Sequence, residues 1–393
     1  MSVDELLPLR SPAWPDAHRH AHRAANGLPS ELVALPEAVG RVLASDLVAP
    51  RPVPGFSASA MDGWAVAGPG PWQLVGEVAA GRPRRHGLLT GTAVAVSTGA
   101  VVPHGTSAVV RQERGRFTAG VLTPTHPVAR DGDIRHSGEE LRSGDLIAPA
   151  GTTVTPALVG LAAAVGLDDL RVRRRPQVGL LVLGDELLSS GPARDGRVRD
   201  ALGVQVPGWV AALGGRVVAQ RSVPDRLDAT CDAITSCTAE VVITTGGSSV
   251  GRHDHVRAAL AAIGGQREVD EVAVRPGHPM LLGALPGGRW LVGLPGNPGA
   301  AVAAVLTLLR PLLAGLLGRP EPDRVRIPTG ADIEPGRGLR MVPAVGHTGY
   351  AMPAQASGPA MLRGWATATH ALLVPPEGAR SGTSVEALTL PRW

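Results

Sequence analysis

Residues 240–257 read EVVITTGGSSVGRHDHVR: an unbroken β-branched run, a pair of glycines, then the opening of a helix. Val241, Val242, Ile243, Thr244 and Thr245 have the composition of a strand covered on both faces of a parallel sheet. Gly246 and Gly247 end that strand abruptly and permit positive φ and close backbone approach. The amides of Ser248, Ser249, Val250 and Gly251 are therefore expected to turn inward on an anion beside a helix N-terminus. Turns of this kind also join strand to helix where nothing binds, so the neighbouring segments decide the meaning.

Around that stretch the pattern alternates strand and helix: QVGLLVL from 177, ALGVQVPGWVAAL from 201, RVVAQRS from 216, DRLDATCDAITSC from 225 and DHVRAALAAI from 254. Such alternation implies right-handed βαβ units and a doubly wound layer, with ligands bound outside the carboxyl ends of the strands. Those ends carry Gly184, Asp185 and Glu186, then Asp225, then the glycine turn. Carboxylates and free amides facing one crevice point to phosphate with a divalent metal ion, although Asp185 also suits a helix cap. RPGHP at 275–279 and LPGNP at 294–298 are two further rigid turns after strand-like runs.

The remaining segments read as follows. His18, His20 and His22 alternate beside Arg19 and Arg23, and no carboxylate or cysteine is expected to join them. An exposed helical stretch is expected there in preference to a metal site. LVAL from 32 reads as a strand and PEAVGRVLASDL from 36 as a helix. SASAMDGWAVA from 57 places Asp62 in a tight Asp-Gly turn before a short strand. Short strands and turns from 72 to 128 suggest a small β-domain, and the turn-rich residues 320–393 suggest another.

Composition excludes several classes. The 393 residues allow two to four domains, and 44% hydrophobic with 18% charged residues is ordinary for a soluble globular chain. There is no lysine, the net charge is +4, and the arginines are dispersed, so nucleic-acid binding is not expected while anionic small molecules are. Cys231 and Cys237 lack metal-ligand company or CxxC spacing, which suits reduced thiols in a cytoplasmic protein. A signal peptide is not expected, and Arg310 and Pro311 interrupt the most apolar run, residues 300–317, so a buried helix is expected in preference to a membrane span.

Taken jointly and in order, SAMDGWAV, STGAVVPHG, IRHSGEEL, GDLIAPAGTTVTPA, LGDELL, TTGGSSVG with Asp254, RPGHP and GLPGNP resemble the molybdopterin molybdenumtransferases, the family of bacterial MoeA and the gephyrin E domain. The resemblance spans almost the whole chain. It implies a multidomain α/β fold: a discontinuous, elongated N-terminal α+β domain (1–50 and 143–174), an inserted β-domain (51–142), a doubly wound molybdopterin-binding domain (175–320) and a C-terminal β-domain (321–393). It also implies a cytoplasmic homodimer that inserts molybdate into adenylylated molybdopterin with Mg²⁺-assisted release of AMP. A molybdopterin adenylyltransferase is the implied protein partner, and no membrane is involved. By motif match, Asp62, Glu186, Asp225 and Asp254 are the implied catalytic residues. Asp62 and Thr98 are expected to face the glycine turn across the dimer interface. Glu186 and Asp225, with Glu140 where the family has aspartate, are the implied metal ligands. Cofactor binding is implied for Thr98, Gly184, Asp185, Gly246, Gly247, Ser248, Ser249 and Gly251, for Arg275, Pro276 and Gly277, and for Pro295, Gly296, Asn297 and Pro298.

The chain departs from the family pattern at Ser57, Ala58 and Ser107, and at Ala201 and Leu202 after Asp200. Arg252 stands at a usually acidic position, Glu271 at a usually basic one, and RPGHP replaces KPGKP. Arg252 and Glu271 read as a reciprocal charge swap, expected to form an ion pair at the border of the pocket. These departures keep two alternatives open: a paralogue that binds molybdopterin or nucleotide, or acts as a scaffold, without inserting metal, and an unrelated phosphate-handling enzyme on the same architecture. A P-loop kinase is disfavoured, because no GK[ST] follows the glycines.

Overall fold

The structure is a computed structural model and describes residues 9–247 and 255–391. The chain divides into two compact units, one taking it up to Glu31 and again from Val172, the other Leu32–Arg171.

The first unit is built on a seven-stranded sheet in the order Leu9–Arg10, Gln266–Asp270, Leu281–Leu285, Arg289–Leu294, Val241–Thr245, Gln177–Leu183, Arg216–Val223. Its last four members are mutually parallel, with Ile243 between Leu180 and Val292. On the other flank Leu281–Leu285 pairs antiparallel with both Arg289–Leu294 and Gln266–Asp270. Val241–Thr245 is buried at all five positions. Alternation sends Val241 and Ile243 into one core layer and Val242 into the other. Helix Leu202–Ala212 and the segment Pro298–Leu316 cover the first face. Helices Leu227–Ser236 and His255–Ala262 cover the second through Ile234, Val256 and Leu260. Each fully buried Val or Ile contributes about 1.5–3 kcal/mol, and the β-branched side chains suit the pleated backbone of this strand.

Pro298–Leu316 is long and apolar enough to cross a membrane, but 89% of it is buried inside the unit, in keeping with the expected buried helix. A second sheet of this unit runs Val274–Arg275, Leu339–His347, His370–Val374, Ser384–Thr389, Val325–Pro328, with Tyr350–Pro353 paired to Leu339–His347. It sets Arg275 directly beside Arg340 in register.

The second unit holds a six-stranded sheet ordered Ala108–Arg111, Gly63–Val66, Thr92–Val96, Trp72–Val78, Val121–Pro124, Gly115–Thr118. Gly63 opens its strand where the sequence suggests an Asp-Gly hairpin turn. A Cβ there would lie 2.1 Å from the Val110 carbonyl oxygen, so this glycine serves strand pairing.

Two local expectations are corrected. The helix expected over 36–47 stops at Ala38, because residues 40–43 pair with 151–154 through Gly40 N–H to Val154 O, Val154 N–H to Arg41 O and Leu43 N–H to Thr152 O. Long-range backbone pairing overrides the local propensity. The histidine-bearing helix forms, as Trp14–Ala24, but it is not an exposed stretch. His18 is 1% exposed and its Nδ1 donates to Glu321 at 2.9 Å. His20 pairs with Glu268 at 2.9 Å, and His22 bonds the Arg319 carbonyl. Carboxylates distant in sequence do join these histidines, which neighbourhood in sequence conceals.

Candidate functional site

The carboxyl ends of the four parallel strands open on one cleft of about 560 Å³. Gly184 and Glu186 enter after Gln177–Leu183, Asp225 after Arg216–Val223, Gly246 and Gly247 after Val241–Thr245, and Pro295, Gly296, Asn297 and Pro298 after Arg289–Leu294. This is the crevice that parallel topology provides for ligands.

Both glycines of the turn adopt left-handed backbone, with φ +81° at Gly246 and +65° at Gly247. The Gly246 amide donates to Leu294 O at 3.0 Å, so the turn is fixed to the neighbouring strand end. Ser248, Ser249, Gly251, Arg252 and Asp254 lie outside the described residues.

Asp225 is pushed above its ordinary carboxyl pKa by burial first, then by the negative charges of Glu186 and Asp185. A backbone hydrogen bond from Asp185 opposes that rise. The three carboxylates read from neighbouring strand ends thus share one electrostatic neighbourhood. The helix-cap alternative for Asp185 does not hold, since the next helix begins only at Leu202. There it is Asp200 Oδ1 that accepts the Gly203 N–H, at 2.8 Å.

The donors at Glu186, Asp185 and Asp225 are hard oxygens, as Mg²⁺ prefers. Among the described residues no group of three or more His, Cys, Asp or Glu side chains has metal-binding spacing. The donor set fits an ion that draws its other ligands from water and substrate oxygens, as Mg²⁺ commonly does.

A second pocket of about 360 Å³ shares Pro279, Pro295 and Asn297 with the cleft and is lined further by Arg275, Pro276, Gly277, His278, Arg340 and Ser357. Arg340 is missed by local reading because only the register of the second sheet brings it beside Arg275. His278 Nδ1 donates to Val272 O at 2.7 Å, and its Nε2 stands 3.4 Å from Glu271 Oε2. Glu271 itself has φ +66°, held by its amide to Met280 O. The described partner of Glu271 is therefore His278, whereas the expected partner Arg252 lies outside the described residues. Because the Nδ1 proton is spent on Val272 O, Nε2 attracts Glu271 only when the ring is protonated, so in mildly acidic buffer Glu271→Ala and His278→Ala are each expected to lower stability, with a coupling of about 0.3–1 kcal/mol in a double-mutant cycle by urea unfolding. Strict additivity would mean that the two side chains do not interact.

Behind this turn, Asp270 accepts from Arg257 at 2.7 Å and Arg267 at 2.6 Å. Burial pushes the Asp270 carboxyl up, and the two guanidiniums outweigh it and hold it low.

In the second unit Asp62 Oδ1 accepts both the Thr98 N–H at 2.7 Å and the Thr98 hydroxyl at 3.1 Å. The two are exposed together, as a hydrogen-bonded acid and hydroxyl. Glu140 is exposed in the same unit, its amide bonded to Val53 O at 2.9 Å. Ser107, one of the departures, donates its hydroxyl to Val66 O and accepts the Gly68 N–H, both at 3.1 Å.

Sequence reading missed Arg199 and Val198, and met Asp200 and Leu187 only as parts of motifs; all four line the cleft from the segment after Glu186. Their signal was faint: only the short run Val198–Arg199, paired in parallel with Leu187–Leu188, marks that segment as structured.

Residues 13–166 match the family model described as the MoeA N-terminal region (domain I and II), and residues 179–315 match that of a probable molybdopterin binding domain. A molybdopterin molybdenumtransferase of Haemophilus influenzae is 34% identical over 299 residues, covering 74% of each chain. One from Synechococcus elongatus is 35% identical over 303 residues, covering 73% of this chain and 75% of the relative. The crystal structure of a molybdopterin biosynthesis MoeA protein from Pyrococcus horikoshii OT3 superposes with a TM-score of 0.83 over 97% of this chain and 100% of that one, at 23% identity, a likeness of fold. With two family models and relatives of this identity spanning both units, the chain belongs to the molybdopterin molybdenumtransferase family.

Proposed function

We propose that this chain is a transferase of molybdenum cofactor biosynthesis that inserts molybdate into adenylylated molybdopterin with release of AMP. The observation that carries the reading is the single cleft that gathers the glycine turn with Glu186 and Asp225 at the carboxyl ends of four parallel strands. Left-handed Gly246 and Gly247 leave the turn free of side chains, so a phosphate ester can approach its backbone. Glu186 and Asp225 would hold Mg²⁺, which when bound neutralises phosphate charge and assists departure of the adenylate. Arg275 and Arg340, in the adjoining pocket, supply cationic donors for an oxyanion such as molybdate. Asp62 with Thr98 and Glu140 remain assigned to the site by motif. A cytoplasmic homodimer, supplied by a molybdopterin adenylyltransferase, belongs to the same reading through family membership.

Complementation of a host that lacks its own molybdenumtransferase tests the proposal, and restored molybdoenzyme activity is the expected result. A second reading, binding without metal insertion, draws on Ala201 and Leu202, which put apolar side chains into the cleft wall. Failed complementation by a folded protein that still binds molybdopterin would favour it.

The Asp225→Asn protein is expected to fold at least as stably as wild type and to lose complementation. The native site disfavours the ionised Asp225 carboxyl through burial and its acidic neighbours, and the amide removes that repulsion together with a metal ligand. Thermal unfolding and complementation check the two halves, and a marked fall in melting temperature would contradict the electrostatic account.

A further inference from the structure

We infer that Arg199 is a substrate-binding residue, the cation that receives the phosphate-bearing end of the ligand on the acidic side of the cleft; this rests on the reading of the cleft given above. Among the described lining residues Arg199 is the only basic side chain, and the lining carboxylates are Glu186, Asp200 and Asp225. An anionic ligand entering this cleft meets net negative charge from side chains, so the one guanidinium has a large share in admitting it.

Arg199 is held ready for that role. Its strand pairs in register with Leu188, the Val198 amide donates to Glu186 O at 3.0 Å, and the Asp200 amide donates to Leu188 O at 3.0 Å. The guanidinium Nη1 donates to the Leu188 carbonyl at 3.1 Å, which orients the group and leaves its other N–H donors unused by the described residues. No ion pair joins Arg199 to a described carboxylate. Asp200, its sequence neighbour, spends Oδ1 on the Gly203 amide at the start of helix Leu202–Ala212. The next two residues, Ala201 and Leu202, offer the ligand no polar side chain. Polar recognition on that wall therefore falls to Arg199, whose planar fork suits two phosphate oxygens at once.

The test is calorimetric titration of the full chain with AMP and with molybdopterin, using wild type, Arg199→Gln and Arg199→Lys. Arg199 is exposed, so all three proteins are expected to melt at the same temperature. Arg199→Gln should bind both probes about tenfold to a hundredfold more weakly and with a shallower dependence on salt. Arg199→Lys should recover part of the loss, since it restores a point charge without the fork. Wild-type binding that Arg199→Gln leaves intact overturns the assignment alone. A wild-type protein that binds neither probe overturns the reading of the cleft, and the assignment with it.

Discussion

Replacing Gly247 by valine is expected to weaken molybdopterin binding by a hundredfold or more and to abolish complementation. At φ +65° a β-branched residue is strongly disfavoured, and left-handed backbone costs an ordinary L-residue about 1–2 kcal/mol before any contact is considered. Contacts add to this, because a Cβ at 247 would lie 3.1 Å from Val256 Cγ2 and 3.4 Å from Leu183 Cδ2, both in the core beneath the turn. The turn escapes by leaving its present path, and the free backbone face that a phosphate needs goes with it. Gly247→Asn separates the causes. Asparagine tolerates the left-handed region, so it should retain much more binding than valine at equal helicity and melting temperature. Ser249→Ala, a change of hydroxyl only, should weaken binding mildly, because the turn is proposed to act through its backbone. Wild-type affinity in a folded Gly247→Val protein would show that the turn does not shape the site.

How much was legible follows from the range of the interactions involved. The run from Val241 to Thr245 announces its own environment, since five consecutive β-branched residues fit only where both faces are covered, and all five are buried. Strand ends of a parallel sheet share one edge, so Glu186, Asp225 and the glycine turn could be gathered without coordinates, and they line one cleft. Asp62 and Thr98 entered through motif alone, and within the second unit they are hydrogen-bonded to each other. What escaped depends on partners far along the chain. Arg340 reaches Arg275 by sheet register, and residues 40–43 lose their helix to a strand-like pairing more than a hundred residues away. His278 is a partner of Glu271 that charge reversal does not suggest, brought beside it by a turn seven residues on, while the expected partner Arg252 lies outside the described residues.

The histidines of the first helix are the plainest case of hidden context, and they lead to the second large effect, a loss of stability on mild acidification. His18 lies under Trp14, 1% exposed, with Nδ1 donating to Glu321 and Nε2 buried without a hydrogen-bond partner among the described residues. Burial lowers its pKa from 6.5 to about 4; Glu321 pulls the other way, while Arg310 and Arg324 add to the lowering. The native state therefore keeps this imidazole neutral at pH values where the unfolded chain has already protonated it. With the folded pKa depressed, the contribution is intact above about pH 6.5 and is lost as pH falls towards 4. Across that window the difference amounts to roughly 3 kcal/mol, a large part of a typical 5–15 kcal/mol. His370, also lowered by burial, acts in the same direction, and Glu321 and Asp270, held low in the native state, add their losses as pH approaches 4 and below. Comparison with His18→Gln isolates the one group, because an amide can still donate to Glu321 but takes up no proton in this range. The variant is expected to be less stable than wild type at pH 7, through imperfect packing, and to lose less on the way to pH 4, so that the two stabilities converge. Urea unfolding at half-unit pH steps between 7 and 4 reads this directly, and parallel curves for the two proteins would show that His18 is not the group that couples folding to acid.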